Sequence, residues 1–155
     1  MIFNSTQILI DHFVDKLQDG YQRMFGGYKS NYSEIIAWAG RMALENISNG
    51  DALYHNAEHT ILVTLVGQEI LAGKHMSEGG VNCEDWLHFT ISLLCHDIGY
   101  IKGVCQGDDK NYHTYVDGKG GLIELPAGAS DAALTPYHID RGKLFVKERF
   151  EGHAL

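Results

Sequence analysis

The chain has 155 residues, with 12 Lys and Arg against 20 Asp and Glu, so its formal net charge at pH 7 is −8. This length predicts one domain, and 45% apolar residues with only two prolines exclude an intrinsically disordered chain. The acidic balance, with no cluster of basic residues, excludes a protein that binds duplex nucleic acid through its phosphates. No apolar run reaches about 18 residues, so we expect no membrane span.

The N-terminus and the cysteines favour a reducing compartment. Residues 1–5 contain neither the basic segment nor the cleavage site of a signal peptide. Cys83, Cys95 and Cys105 are odd in number and form no Cys-x-x-Cys pair, so they predict neither a disulfide framework nor a structural zinc site. We therefore expect a cytoplasmic protein.

Apolar residues recur at helical spacing along most of the chain. The predicted helices are Ser5 to about Phe25, Ser33 to about residue 49, Asp51 to about Gly73, Asn82 or Cys83 to about residue 98, and Ile139 to Phe150. Ser5 and Ser33 are predicted to cap the first two helices, and glycines follow or end the first four. The predicted fold class is therefore all-α.

The segment between Gly103 and Asp131 breaks this pattern. Its helical period disappears, six glycines appear, and only Leu122-Ile123-Glu124-Leu125 could supply a short strand. A loop of this length is uncommon in a compact domain and is often functional. We therefore predict a long Gly-rich loop insertion over 103–131 that serves as a lid, within a single domain spanning 1–155.

Three histidines lie where the third and fourth helices are predicted to bring them together. His55 and His59 are four residues apart and so neighbours on one helix face, and His96 precedes Asp97. The predicted inward stripes are Leu62, Val63, Val66 and Ile70 in the third helix and Phe89, Ser92, Leu93 and His96 in the fourth. A buried carboxylate beside imidazoles is well satisfied by a divalent cation. We therefore predict a metal site, with ordinary hydrogen-bonded core residues as the alternative.

The block Tyr54-His55-Asn56-x-x-His59-Thr60 is followed by His96-Asp97-Ile98-Gly99-Tyr100. Together these blocks resemble the HD superfamily of metal-dependent phosphohydrolases, and the first is similar to the signature of its cyclic nucleotide phosphodiesterases. The resemblance covers about Leu53 to Tyr100. It implies an HD-domain-like helical bundle that holds one or two divalent ions (Zn, Fe, Mn, Ni or Mg) and acts on a small phosphorylated substrate. Cyclic nucleotide specificity is not carried over, because the doublet continues Ile-Gly-Tyr instead of His-Pro-Gly.

The resemblance also implies roles for individual residues. His59, His96 and Asp97 would be metal ligands, His55 would protonate the leaving-group oxygen, and Asn56 would support the site. The family completes its site with a later aspartate, for which the downstream candidates are Asp108, Asp109, Asp117, Asp131 and Asp140. Asp140 is a candidate ligand but fits better as the N-cap of the last helix. We therefore expect the fourth ligand to lie beyond Leu155, in a chain truncated at its C-terminus.

Three further residues lie at the start of the last predicted helix. His138 is a candidate ligand of a second ion. Arg141 and Lys143 are candidates for binding a substrate phosphate, with solvated surface charges as the alternative.

The predicted function is a metal-dependent phosphohydrolase that attacks a phosphomonoester or phosphodiester, such as a nucleotide, with metal-activated water. Two alternatives remain open: a di-iron HD-type oxygenase, and a degenerate HD module that binds a nucleotide without catalysis. A homodimer is a further expectation.

Overall fold

The computed structural model describes residues 4–152 and is mostly helical, which confirms the predicted all-α class in its coarse form. The five helices are α1 (Ser5–Phe25), α2 (Ser30–Ile47), α3 (Ala57–Glu78), α4 (Cys83–Cys95) and α5 (His138–Phe150). None of the helices within residues 4–152 combines the length and the apolar character needed to cross a membrane. The chain end at Leu155, on which the expected truncation depends, lies outside the described residues.

The chain divides into two compact units. The first consists of the described part of Met1–Glu45 together with Ala57–Leu94, and the second of Asn46–Asn56 together with the described part of Cys95–Leu155. The first unit therefore contains most of α1 to α4, and the second contains α5 with the segment that precedes it. The prediction that the chain forms one domain stays a prediction.

Local sequence signals set several of the helix ends. Gly26 ends α1 with a φ of 58°, as predicted. The carboxamide of Asn82 accepts the backbone N–H groups of Glu84 and Asp85, and Asp85 accepts the N–H of Asn82 in return, a capping box that begins α4 where the sequence predicted it. The N-cap of α1 is Asn4, not Ser5, since the Asn4 side chain accepts the N–H of Gln7.

Two predicted helix starts are wrong. Helix α2 begins at Ser30, three residues before Ser33, so Ser33 lies inside the helix and does not cap it. Helix α3 begins at Ala57 instead of near Asp51. His55 therefore precedes α3 and does not share a helix face with His59.

The core of the first unit contains large apolar side chains of α1, α2 and α4 and a polar face of α3. The buried apolar residues include Phe13, Leu17, Tyr21, Ile36, Leu44, Trp86, Leu87 and Leu94. Helix α3 contributes Thr60, Thr64, Gly67 and Gln68, and the Gln68 amide donates to the Thr90 hydroxyl at 3.1 Å. The predicted stripe of α3 is wrong, because Leu62 and Val66 are each 57% exposed and Ile70 is 65% exposed.

Close packing between helices explains why α3 buries small and polar residues and exposes its larger apolar ones. A Cβ added at Gly67 would lie 2.3 Å from a methyl carbon of Leu93, and one at Gly20 would lie 3.0 Å from Oε1 of Gln68. The small and polar residues of α3 thus lie where neighbouring helices approach most closely.

The predicted stripe of α4 is also wrong. Phe89 and Leu93 are half-buried and Ser92 is exposed. The buried residues of this helix are instead Trp86, Leu87, Ile91 and Leu94.

The second unit is built around α5, which begins at His138 and ends at Phe150, close to the prediction. A 3-10 turn at Ile98–Tyr100 packs against α5. Gly99 lies in this turn and does not cap α4 as predicted. A Cβ on Gly99 would lie 1.9 Å from the His138 carbonyl oxygen, so only glycine allows this approach.

The predicted loop contains a small antiparallel hairpin. Strands β1 (Thr114–Val116) and β2 (Leu122–Glu124) pair with Tyr115 opposite Ile123, and a second 3-10 turn follows at Asp131–Leu134. The short strand at Leu122 is thus confirmed, and it has a partner that the sequence did not indicate. The role of 103–131 as a lid stays a prediction.

Candidate functional site

The His-Asp doublet lies at the end of α4, in the second unit. Helix α4 ends at Cys95, so His96 and Asp97 belong to the turn that leads into Ile98–Tyr100 rather than to the helix. Ile98, Gly99 and Tyr100 are buried, and the Tyr100 N–H donates to the Asp97 carbonyl oxygen at 3.1 Å. The contact of this turn with α5 therefore fixes the backbone that carries Asp97.

Two imidazoles converge on one oxygen of the Asp97 carboxylate. Nδ1 of His55 lies 2.7 Å and Nε2 of His96 lies 3.0 Å from Oδ2 of Asp97. The Asp97 side chain is 7% exposed, whereas those of His55 and His96 are 34% and 31% exposed. Both rings are thus accessible from solvent around a buried carboxylate.

The environment of Asp97 keeps its carboxyl group ionised. Burial raises the pKa of this group, but hydrogen bonds from His96 and His55 and the attraction of those rings outweigh burial and lower the pKa from 3.8 to about 2. An ionised carboxylate only accepts hydrogen bonds, so both ring nitrogens that face it carry hydrogen. In the neutral rings, Nε2 of His55 and Nδ1 of His96 therefore hold the lone pairs.

A stack of three aromatic rings adjoins this carboxylate. The Tyr100 ring stacks on His55 at 4.2 Å and on His138 at 4.3 Å, with interplanar angles of 16° and 19°. Nδ1 of His138 lies 2.7 Å from the Thr135 carbonyl oxygen, which can only accept, so Nε2 of His138 also holds the lone pair in the neutral ring. The ring nitrogens of His55, His96 and His138 that face these oxygen acceptors are thus held as donors.

The structure places the other predicted site residues as follows. His59 lies half-buried in the first turn of α3, in the first unit, and Asn56 is exposed with its amide 3.4 Å from the Leu53 carbonyl oxygen. Asp140 is not an N-cap, because α5 begins at His138 and Tyr137 occupies the cap position. The Asp140 carboxylate instead lies 3.0 Å from the amine of Lys119 and 3.5 Å from that of Lys143.

Arg141 does not bind substrate, because it is completely buried and its five N–H donors are all used. Two donate to the carboxylate of Asp108, each at 2.9 Å. The other three donate to the carbonyl oxygens of Gly99, Ile101 and Val116. Burial lowers the pKa of Arg141, but the hydrogen bond and charge of Asp108 outweigh it and raise that pKa above its ordinary value. The predicted phosphate contact is therefore wrong for Arg141, whereas for Lys143, which is exposed, it stays a prediction.

Sequence reasoning missed two residues that shape this unit. Asp108 was only one of five aspartates considered as a metal ligand. Its buried carboxylate also accepts the N–H groups of Gly103 and Val116 at 2.9 and 3.0 Å. Tyr100 belongs to the block that carried the resemblance but received no role. Its position three residues after Asp97 was the available signal, whereas no local pattern identified Asp108 as the partner of Arg141.

A protein-family model described as Npun_R2479-like matches residues 3–155 of this chain. No curated protein and no solved structure matches it. The family match does not refer to the HD superfamily, so that resemblance stays a prediction.

Proposed function

We propose that this chain, which belongs to the Npun_R2479-like family, is a metal-dependent phosphohydrolase that acts on a small phosphomonoester or phosphodiester. The observation that carries the proposal is the buried Asp97 carboxylate, whose Oδ2 is shared by the rings of His55 and His96. Buried charges are paired or bind metals, and strongly perturbed carboxyl groups concentrate at functional sites.

The donor set fits a divalent transition metal. Nε2 of His96 lies 3.0 Å from Oδ2 of Asp97, so an ion that replaces the proton between them could bind both atoms. Imidazole with carboxylate suits zinc, iron, manganese or nickel, whereas magnesium prefers oxygen ligands alone. Metal-binding histidines usually donate their second nitrogen to a carboxylate or carbonyl, as His138 does to the Thr135 carbonyl oxygen. We propose Asp97 and His96 as ligands, His59 as a third, and His138 as a candidate for a second ion.

The chemistry follows from the residues around Asp97. A bound ion of this class lowers the pKa of coordinated water and neutralises charge on a phosphoryl group. The Asp97 carboxylate holds Nδ1 of His55, and Tyr100 holds the ring plane, so Nε2 of His55 faces away from Asp97. Protonated there, His55 donates its proton to the leaving-group oxygen, while Lys143 is the remaining basic candidate for binding the substrate phosphate.

Further features of the proposal rest on the same resemblance. We propose that the helices form an HD-domain-like bundle, that Asn56 supports the histidine block, and that Asp140 completes the ligand set. A cytoplasmic location is supported by Cys83, Cys95 and Cys105, which are all buried free thiols suited to a reducing compartment. A homodimer belongs to the same proposal.

The decisive experiment measures metal and turnover together on the full-length protein. Elemental analysis should find about one or two equivalents of a transition metal, and p-nitrophenyl phosphate or bis-p-nitrophenyl phosphate should be hydrolysed. Asp97→Ala and His96→Ala should lose both metal and turnover, whereas His12→Ala, which changes an exposed histidine of α1, should lose neither. A metal-free protein that hydrolyses these esters would disprove the proposal.

Two other outcomes identify the alternatives. Stoichiometric iron with oxygen consumption and no hydrolysis would identify a di-iron oxygenase. Tight nucleotide binding without turnover, even after reconstitution with metal, would identify a degenerate binding module. His59→Ala should lower metal content if His59 is a ligand, and His55→Ala should abolish turnover while metal remains bound.

A further inference from the structure

The second unit contains a cavity of about 360 Å³ whose lining includes none of the residues of the His-Asp site. Its volume lies near the lower end of the range for small-molecule pockets, about 300–1,000 Å³. The polar and charged lining residues include Asn49, Asp51, Lys102, Lys110, His113 and Asp131. Such walls fit a small polar ligand better than an apolar one.

Two aspartates form a fixed part of this cavity. The N–H of Asp51 donates to Oδ2 of Asp131 at 3.0 Å, and the N–H of Asp131 donates to Oδ1 of Asp51 at 2.6 Å. Lys102 donates to the Ala129 carbonyl oxygen, and its amine lies 3.8 Å from Oδ1 of Asp131. The charges of Lys102 and Asp131 therefore balance each other within the wall.

Two charged atoms of the lining have no such partner among residues 4–152, and both belong to exposed residues, Lys110 and Asp51, whose charges a ligand can reach. The Lys110 amine makes no hydrogen bond or ion pair there, and Oδ2 of Asp51 accepts no hydrogen bond there. The Lys110 stem lies over Gly103, where a Cβ would approach its Cε to 2.2 Å. Glycine at this position, with φ of 83°, thus leaves the room that the Lys110 side chain occupies.

His113 adds a strained residue to the same wall. Its φ is 54°, a left-handed conformation that residues other than glycine rarely adopt. The N–H of Leu125 donates to the His113 carbonyl oxygen at 2.9 Å, so pairing of the hairpin maintains this conformation. Strain of this kind is concentrated at ligand sites, where it positions a side chain.

We propose that this cavity binds a small zwitterion, specifically a free α-amino acid. Two lysines and two aspartates leave the lining without net charge, so a simple anion or a simple cation would satisfy only one of the two unpaired groups. An α-amino acid satisfies both, with its carboxylate on Lys110 and His113 and its ammonium on Oδ2 of Asp51. This site goes beyond the proposed phosphohydrolase activity and does not depend on it.

Isothermal titration calorimetry on the full-length chain tests this proposal without measuring turnover. The probes are the twenty standard α-amino acids at about 10 mM, enough to saturate a site with a Kd near 1 mM. At least one should bind, and its N-acetyl and carboxamide derivatives, which each lack one charge, should bind at least about tenfold more weakly. Inorganic phosphate is the comparison anion.

Variants locate the binding site. Lys110→Met and Asp51→Asn should each weaken binding at least about tenfold, whereas Lys147→Met, which changes an exposed lysine of α5 outside the cavity, should not. The Asp51→Asn substitution keeps an acceptor for the Asp131 N–H, and unchanged thermal unfolding would show that each variant is folded. The proposal is overturned if no amino acid binds, if Lys110→Met binds as well as Lys147→Met, or if phosphate alone binds.

Discussion

Replacing Asp108 with asparagine tests the buried ion pair that joins the 103–131 segment to α5. The carboxylate of Asp108 and the guanidinium of Arg141 are both fully buried and share two hydrogen bonds of 2.9 Å. Asparagine keeps the shape of the side chain and removes its charge. The guanidinium of Arg141 would then remain buried without a counter-ion, and its carbonyl partners would supply only neutral acceptors.

The expected loss is large relative to the stability of a domain. Removing one partner of a buried ion pair lowers the free energy of unfolding by about 3–5 kcal/mol, a substantial part of the 5–15 kcal/mol of a typical domain. For a chain of this size, each kcal/mol corresponds to about 2–4 °C, so the Tm of Asp108→Asn should fall by about 6–20 °C. The double variant Asp108→Asn, Arg141→Met should recover part of the loss, because no charge then remains buried.

Urea unfolding followed by circular dichroism measures these differences. Asp140→Asn is the matched control, since the Asp140 carboxylate pairs with two exposed lysines and surface pairs contribute little. Asp108→Asn should therefore lose far more stability than Asp140→Asn. Equal losses in the two single variants would refute the reasoning, as would a double variant that is less stable than Asp108→Asn.

Three further predictions address other parts of the chain. Gly99→Ala should lower the free energy of unfolding by about 1–3 kcal/mol or more in urea titrations, because the new Cβ would collide with a carbonyl oxygen of α5. Gly27→Ala is the control and should have little effect, since a Cβ there has no neighbour within 4 Å. Similar losses in the two variants would contradict the packing argument. The pKa of Asp97 is about 2 in the folded protein, below its ordinary value of 3.8. The ionised carboxylate therefore stabilises the metal-free protein above about pH 4, and this stabilisation disappears as the pH falls toward 2. The difference in unfolding free energy between wild type and Asp97→Asn should shrink over that interval, and a constant difference would argue against this pKa. Burial raises the pKa values of Cys95 and Cys105 to about 12, so mass spectrometry should find both unmodified by iodoacetamide at about pH 8 until urea is added. Equal modification rates with and without urea would show that these thiols are accessible in the folded protein.

Features that depend on near neighbours in the chain could be predicted from the amino-acid sequence alone. Gly26 and Asn82 mark helix ends because a left-handed glycine and a capping carboxamide act within a few residues. Helix α5 was predicted almost to the residue from its apolar spacing, although its predicted N-cap, Asp140, was wrong. The His-Asp doublet was also visible in the sequence, and the hydrogen-bonded contact of Asp97 with His55 agrees with the expectation that these residues meet.

Which helix faces are buried, and which charged side chains pair, became evident only from the three-dimensional structure. The apolar period of α3 predicted Leu62 and Val66 inside, but close helix packing at Gly67 placed small and polar residues there instead. The sequence suggested that Arg141 is a surface charge, but in the structure it is buried and paired with Asp108, 33 positions earlier in the chain. Burial and charge pairing depend on which segments approach each other across long stretches of chain, and local periodicity contains no record of that approach.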